Sequence, residues 1–204
     1  MTSVELTLVR HGLPVRDQPN DPGLSEEGIE QARRAAQFLK AESYDALYSS
    51  PLLRARDTAG YVAAELGLDV IAEEGLAEFD KNTEYAHFED LVAARDPRVE
   101  AFFRGDLSGW GADADEFRVE VRQTFDNIVS RHEGQSIVVV SHGGVANVFF
   151  GSVLGLERLS FHAPAYGSVS RARAGAGKYT LVSLNETGHL VNRGRGPAGT
   201  RVKF

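Results

Sequence analysis

Two histidine-glycine pairs close apolar runs in this chain. Arg10-His11-Gly12 follows VELTLV, and Ser141-His142-Gly143 follows IVVV. An imidazole between a guanidinium and a glycine suits one kind of chemistry, an anion held against a nucleophile. The guanidinium offers planar donors that match phosphate oxygens, and the glycine lets a ligand or another backbone come close. A lone histidine after a strand is more often structural than catalytic. Two strand-terminal pairs are the unusual feature. SSPLLRARDTA offers a second cation: Arg54 lies three residues after Pro51, at the start of a helical pattern whose N-terminus itself favours an anion. Arg56 beside it reads as a solvated helix-face charge. The carboxylate candidate is Glu78 in GLAEFD, singled out by its place after a third short strand-like segment.

The elements that must position these residues follow from periodicity. VELTLV (residues 4–9), DALYSS (45–50), DVIAEE (69–74) and the continuous apolar run Ile137 to Val140 read as short strands. LSEEGIEQARRAAQFLKAE switches to helical spacing, with Ser25 as N-cap, acidic Glu26 and Glu27 behind it, and Ile29, Ala32, Ala36 and Leu39 on one face. Pro51 fits the first turn of a second helix that carries Leu52, Ala55, Ala59, Val62 and Leu66 and stops near Gly67. A long amphipathic helix then has Phe117, Val121, Phe125 and Ile128 as its stripe, and GSVSRARAGAGKYTLVSLN reads as a hairpin. Residues 79–112, broken by Pro97 and several glycines, read as a helical insertion over one end of the sheet. Lys81, Tyr85, Arg95, Arg98, Phe103 and Trp110 are its candidate substrate contacts. The tail RGRGPAGTRVKF, with Arg193, Arg195, Arg201 and Lys203, reads as a solvated end.

Alternation of strands and helices predicts an α/β fold in three layers, a mostly parallel central sheet flanked by helices. Ligands in such sheets collect beyond the carboxyl ends of strands, where both histidine pairs fall. The length of 204 residues fits one domain. A net charge of −7 argues against a nucleic-acid partner, so an anionic ligand must be drawn by a local cationic pocket. The absence of cysteine removes thiolate chemistry and cysteine-bound zinc, and suits a reducing cytoplasm. Neither a leader peptide nor a membrane span is expected. His87, His132, His162 and His189 are scattered without ligand spacing, so no metal site and no cofactor is expected.

LVRHG, DPGLSEEGIEQA, SSPLLRARDTA, the Leu-x-Glu of LAEF, VVVSHGG and LNETGHL occur in an order and spacing that resembles the histidine phosphatase superfamily, the phosphoglycerate mutase-like group, in its compact branch. The resemblance covers the chain apart from the insertion and tail. It implies a phosphomonoesterase acting on a small phosphate ester, with His11 as nucleophile. Arg10, Arg54, His142 and Gly143 would hold the phosphoryl group, His142 as a protonated donor, and Glu78 would be the proton donor. A mutase using the same site and a non-catalytic phospho-ligand or protein-binding module are the alternatives, and a homodimer is left open. His11 must then be neutral, with its other ring nitrogen bonded, ideally to a backbone carbonyl. The chain departs from the family at Leu13-Pro14-Val15, where the phosphate contact that many relatives make through an Asn is missing or supplied elsewhere. It departs again at FDKNTEYAHFED, where Asp80 or Glu84 could replace Glu78 as the acid. AGAGKYT only superficially resembles a P-loop, because Tyr179 stands where Ser or Thr should bind magnesium.

Overall fold

The computed structural model describes residues 3–191. Strands β1 (Val4–Arg10), β2 (Ala46–Ser49), β3 (Val70–Ala72) and β4 (Ser136–Ser141) run parallel to one another. They are joined at the β1 edge by an antiparallel hairpin, β5 (Val169–Gly175) and β6 (Lys178–Glu186). The order across the sheet is β3-β2-β4-β1-β5-β6, so the sheet is mixed, with its parallel part where expected. Helices α1 (Glu26–Leu39) and α2 (Leu53–Leu66) cover one face, and α5 (Ala114–Ser130) and α6 (Gly143–Val153) the other. Helices α3 (Phe88–Ala93) and α4 (Pro97–Phe103) lie within residues 79–112. No described helix is long and apolar enough to cross a membrane.

The continuous apolar runs become central strands because both of their faces are covered. In β4, Ile137 and Val139 enter one core cluster and Val138 and Val140 the other; in β1, Leu6 and Leu8 oppose Val9 in the same way. The two helical layers differ in side-chain size. Alanines 35, 36, 55 and 59 let α1 and α2 sit close against the sheet, whereas Phe125 of α5 stacks on Phe149 of α6 at 4.0 Å.

Several boundaries move relative to expectation. β1 extends to Arg10, and β3 is a short exposed edge strand. Pro51 lies before α2, which starts at Leu53 because the Asp21 carboxylate accepts the Leu53 N–H at 2.9 Å. The hairpin turns on Ala176 and Gly177, both at positive φ (51° and 72°), a tight two-residue turn and not a phosphate loop. The basic tail residues lie outside the described residues.

Loop 12–15 is fixed by its backbone contacts. Leu13 O accepts both the N–H (2.9 Å) and the hydroxyl (2.8 Å) of Ser25, whose Oγ in turn caps α1 by accepting the Gly28 N–H. The Leu13 N–H donates to Gln31 at 2.8 Å. The loop therefore clamps α1 to the end of β1. The approach is so close that a Cβ on Gly12 would lie 2.3 Å from Gly28 O, and one on Gly28 would lie 2.1 Å from Leu13 O. Both contacts are backbone against backbone, so neither can yield cheaply. Gly28→Ala is expected to destabilise the fold by about 1–3 kcal/mol, the usual cost of overpacking, read as a lower urea midpoint. A midpoint equal to wild type would refute the clamp.

Candidate active site

The site is assembled by strand register. β1 and β4 pair with Arg10 opposite Ser141, so the next residue of each strand, His11 and His142, leaves the sheet side by side. The His11 N–H donates to Ser141 O at 2.9 Å, and the two imidazole centroids are 5.0 Å apart. On the other side of β4, the Ser50 N–H donates to Val140 O at 3.0 Å. This brings Ser50 Oγ within 2.7 Å of His142 Nε2. β2 then leads into α2, which delivers Arg54, and Ser141 Oγ donates to Leu76 O at 2.8 Å, fixing the segment that presents Glu78. The five predicted side chains Arg10, His11, Arg54, Glu78 and His142 converge at one sheet edge.

His11 is 3% exposed, and its Nδ1 donates to Gly12 O at 2.8 Å. That bond places the ring proton on Nδ1 and leaves the Nε2 lone pair unused. Burial first, then the positive charges of Arg54 and Arg10, hold its pKa well below the ordinary 6.5. The imidazole is therefore neutral. His142 is neutral as well: burial, then Arg54, His11 and Arg10, push its pKa well below 6.5. The expectation of a protonated His142 applies to the site holding a phosphoryl anion, whose negative charge would raise that pKa again. The neighbouring cations that would hold an anion also oppose a further positive charge, and burial removes the water that would stabilise it. His142 still has a donor to offer. Ser50 can give its proton to Nε2, which leaves the imidazole proton on Nδ1, a buried atom without a partner among the described residues.

The two arginines are held by different means. Arg54, 2% exposed, pairs with Asp80 at 2.8 Å and more distantly with Asp21 at 3.9 Å, and its guanidinium lies 4.7 Å from the Tyr85 ring centroid. Arg10 donates to Pro164 O at 2.5 Å and stacks over Tyr166 at 3.7 Å. Arg10 Nε and Arg54 Nε are buried without hydrogen-bond partners among the described residues. Together with His142 Nδ1, these are three donors near His11 that an oxyanion would satisfy. Gly143 opens α6, where helix N–H groups lack intrahelical partners; a Cβ there would lie 3.6 Å from Arg10 Nε.

Glu78 is 8% exposed, and its carboxylate accepts the Gly144 N–H at 2.7 Å and the Phe79 N–H at 3.2 Å. Burial, and then the negative charge of Asp80, raise its pKa from 4.5 to about 7. That difference favours the protonated form by about 3 kcal/mol relative to a carboxyl in water. Gly144 must lack a side chain for this contact, since a Cβ would sit 2.3 Å from Glu78 Oε1. Phe79 anchors the residue from behind, packed between Trp110 (5.2 Å) and Phe102 (5.6 Å). Of the rival acids, Asp80 is committed to Arg54 and Glu84 is exposed, so Glu78 is the acid that the geometry favours.

Most of the named insertion residues are elsewhere. Trp110 is core at 4% exposure, Arg98 pairs with Asp96, Lys81 with Glu120, and Arg95 and Phe103 are exposed. Only Tyr85 reaches the site. Arg56 is exposed, as expected. Ser50, Thr58 and Tyr166 belong to the site and were not foreseen. Ser50 follows a strand end, and Thr58, whose hydroxyl accepts the Gly12 N–H at 3.1 Å, lies one helical turn after Arg54, so both carried a signal. Tyr166 lies on a loop and carried none. Among the described residues no group of three or more His, Cys, Asp or Glu is arranged to hold a metal ion.

A family model for the histidine phosphatase superfamily (branch 1) matches residues 6–187. Phosphoserine phosphatase 1 of Hydrogenobacter thermophilus is 31% identical over 202 residues, 92% of this chain and 94% of that protein. A bifunctional protein of Mycobacterium tuberculosis is 34% identical over 155 residues, 69% of this chain; the match spans only 42% of that longer protein. A crystal structure of a phosphoserine phosphatase mutant from Entamoeba histolytica, in complex with phosphoserine, superposes with a TM-score of 0.76 at 27% identity, covering 92% of this chain and 100% of that one. Phosphoglycerate mutase of Bacillus anthracis shares the fold, with a TM-score of 0.76 at 22% identity over 93% of this chain and 96% of that one. The family model spans nearly the whole chain and the fold agrees with these structures: the chain belongs to the histidine phosphatase superfamily.

Proposed function

We propose that the chain is a metal-independent phosphomonoesterase that hydrolyses a small phosphorylated metabolite through a phosphohistidine at His11, and that residues 1–204 form one phosphoglycerate mutase-like domain with residues 79–112 on the substrate side. The observation that carries this reading is a neutral, buried His11 whose Nε2 is free while its Nδ1 is bonded to Gly12 O. Around it stand buried donors of Arg10, Arg54 and His142 that have no partner among the described residues. The names of relatives support the substrate class. They include phosphoserine phosphatases, and one Entamoeba histolytica structure holds 3-phosphoglyceric acid.

The steps follow from the atoms in place. The phosphoryl oxygens are held by Arg10, Arg54, His142 and the Gly143 end of α6, which stabilise charge on the equatorial oxygens as bonding to phosphorus changes. The Nε2 lone pair attacks phosphorus, the ester P–O bond breaks, and Glu78 gives its proton to the departing alkoxide. Glu78, now a carboxylate, takes a proton from water as that water attacks the phosphohistidine. The P–N bond breaks, its electron pair returns to Nε2, and inorganic phosphate leaves with Glu78 protonated again. A carboxyl that titrates near 7 can serve in both directions.

Hydrolysis of p-nitrophenyl phosphate is expected from the wild type, and His11→Ala should lower it by about 10³-fold or more. Glu78→Gln should depress hydrolysis of an alkyl phosphate by about 10²-fold or more but that of p-nitrophenyl phosphate far less, because nitrophenolate leaves without a proton. No wild-type turnover, or turnover retained by His11→Ala, would refute the nucleophile. Net return of the phosphoryl group to a second substrate in place of phosphate release would make the protein a mutase.

A second expectation concerns pH. Because Glu78 must be protonated to act first, kcat/KM for an alkyl phosphate should fall as pH rises through about 7. Asp80→Asn removes a negative neighbour and frees Arg54; both effects lower the Glu78 pKa, so the alkaline limb should move to lower pH. An unmoved limb would show that Glu78 is not the titrating acid.

A further inference from the structure

Arg54 is paired with Asp80, but Arg10 has no acidic partner among the described residues. Its guanidinium is held by the carbonyl of Pro164 and the ring of Tyr166. A carboxylate would fix the cation and at the same time offset its charge. A carbonyl and an aromatic face place it and leave that charge for a bound anion. The position of the Arg10 guanidinium therefore depends on residues 161–168, a segment with neither helix nor strand.

Three side chains from other elements hold that segment. Asn147 of α6 is 4% exposed, and its Oδ1 accepts the Phe161 N–H (2.9 Å), the His162 N–H (3.1 Å) and the His162 Nδ1–H (3.0 Å). Its Nδ2 donates to His162 O and to Gly143 O, which ties the start of the segment to the start of α6. In the middle, Asn185 of β6 accepts the Ala165 N–H at 2.8 Å. Ala165 lies between Pro164 and Tyr166, the two residues that hold Arg10. At the far end, His189 Nε2 donates to Gly167 O at 2.9 Å from a ring stacked on Phe38 of α1. The Gly167 N–H donates in turn to Arg10 O and His11 O. All three anchors are neutral, two amides and an imidazole whose pKa burial lowers.

Asn185 is the anchor nearest to Arg10's holders, and its backbone is unusual. It has φ 53°, in the left-handed region that glycine adopts most easily and Asn more readily than other side chains. Glycine would suit this backbone best, so the side chain is accounted for by the Oδ1 that Ala165 bonds. We propose that Asn185 is a positioning residue for phosphoryl transfer. Through Ala165 it fixes the Pro164 carbonyl and the Tyr166 ring, and through them the Arg10 guanidinium, while Asn147 and His189 close the two ends of the segment. The proposal rests on the phosphatase reading above. It gives a task to LNETGHL, the stretch that carries both Asn185 and His189 and has no part in the chemical steps.

The test is a double-mutant cycle on kcat/KM for p-nitrophenyl phosphate. Asn185→Gly keeps the left-handed backbone, removes the acceptor, and should lower kcat/KM by about tenfold, since small displacements of a positioned group are costly. His189→Phe, which keeps the stack on Phe38 and removes the donor, should lose activity in the same way, so the test does not hang on the folding of one variant. Asn185→Asp retains the acceptor and should recover most of the loss. In an Arg10→Ala background neither Asn185→Gly nor His189→Phe should cost anything further, because the group they place is gone. Losses that multiply with that of Arg10→Ala would show a merely structural role and overturn the proposal. So would full activity in both variants, or an Asn185→Asp protein as impaired as Asn185→Gly. Wild-type turnover that does not need His11 would overturn the phosphatase reading, a separate result. The same cycle read as calorimetric affinity for inorganic phosphate then decides the placement of Arg10 without turnover: weaker binding only where Arg10 is present supports it, and equal weakening in both backgrounds contradicts it.

Discussion

The parallel pairing of β1 with β4, in the register that sets Arg10 opposite Ser141, is the constraint on which the site depends. Both strands are buried on both faces, so a one-residue slip would send every core side chain to the wrong layer. Packing of the whole domain therefore enforces the adjacency of His11 and His142. The same sheet edge receives Ser50 and Arg54 from the β2-α2 connection and Glu78 from the segment after β3. Catalytic placement and core packing are one problem solved by one register.

Register alone would give two adjacent imidazoles, which in water would titrate near 6.5. Burial and two guanidinium groups change their chemistry. Each cation that would stabilise a bound oxyanion makes protonation of His11 and His142 less favourable, so an anion seat and a neutral nucleophile arise from the same charges. Glu78 illustrates the opposite sign. It is equally buried but faces Asp80, and its carboxyl is held protonated up to about 7. Environments that push neighbouring groups apart in this way distinguish a donor from an acceptor of protons.

Much of this was legible in the sequence because strand ends announce themselves. Apolar runs that stop at Arg10-His11 and Ser141-His142 locate the sheet edge, and the periodic alanines locate α1 and also α2, the helix that delivers Arg54. What was not legible depends on long-range contact. The neutrality of His142 requires knowledge of its burial, which a run of residue types does not carry. Trp110 looked like a substrate wall because it lies in a broken segment, yet it is the core that anchors Phe79 and so Glu78. The turn from β1 into Leu13-Pro14-Val15 also clamps α1, in a close approach that forbids side chains at Gly12 and Gly28 and that residue types alone do not announce. Tyr166 came from a loop with no periodic signal at all.

The central claim is that His11 is neutral, with its proton on Nδ1 and its Nε2 lone pair free. Nitrogen-15 NMR of protein labelled in its histidine imidazoles, recorded at pH 6 to 7 with His11→Gln for assignment, tests it directly. The account predicts a His11 signal pair of the neutral Nδ1–H tautomer, unchanged across this range. An imidazolium pattern, or a neutral ring protonated on Nε2, would contradict it.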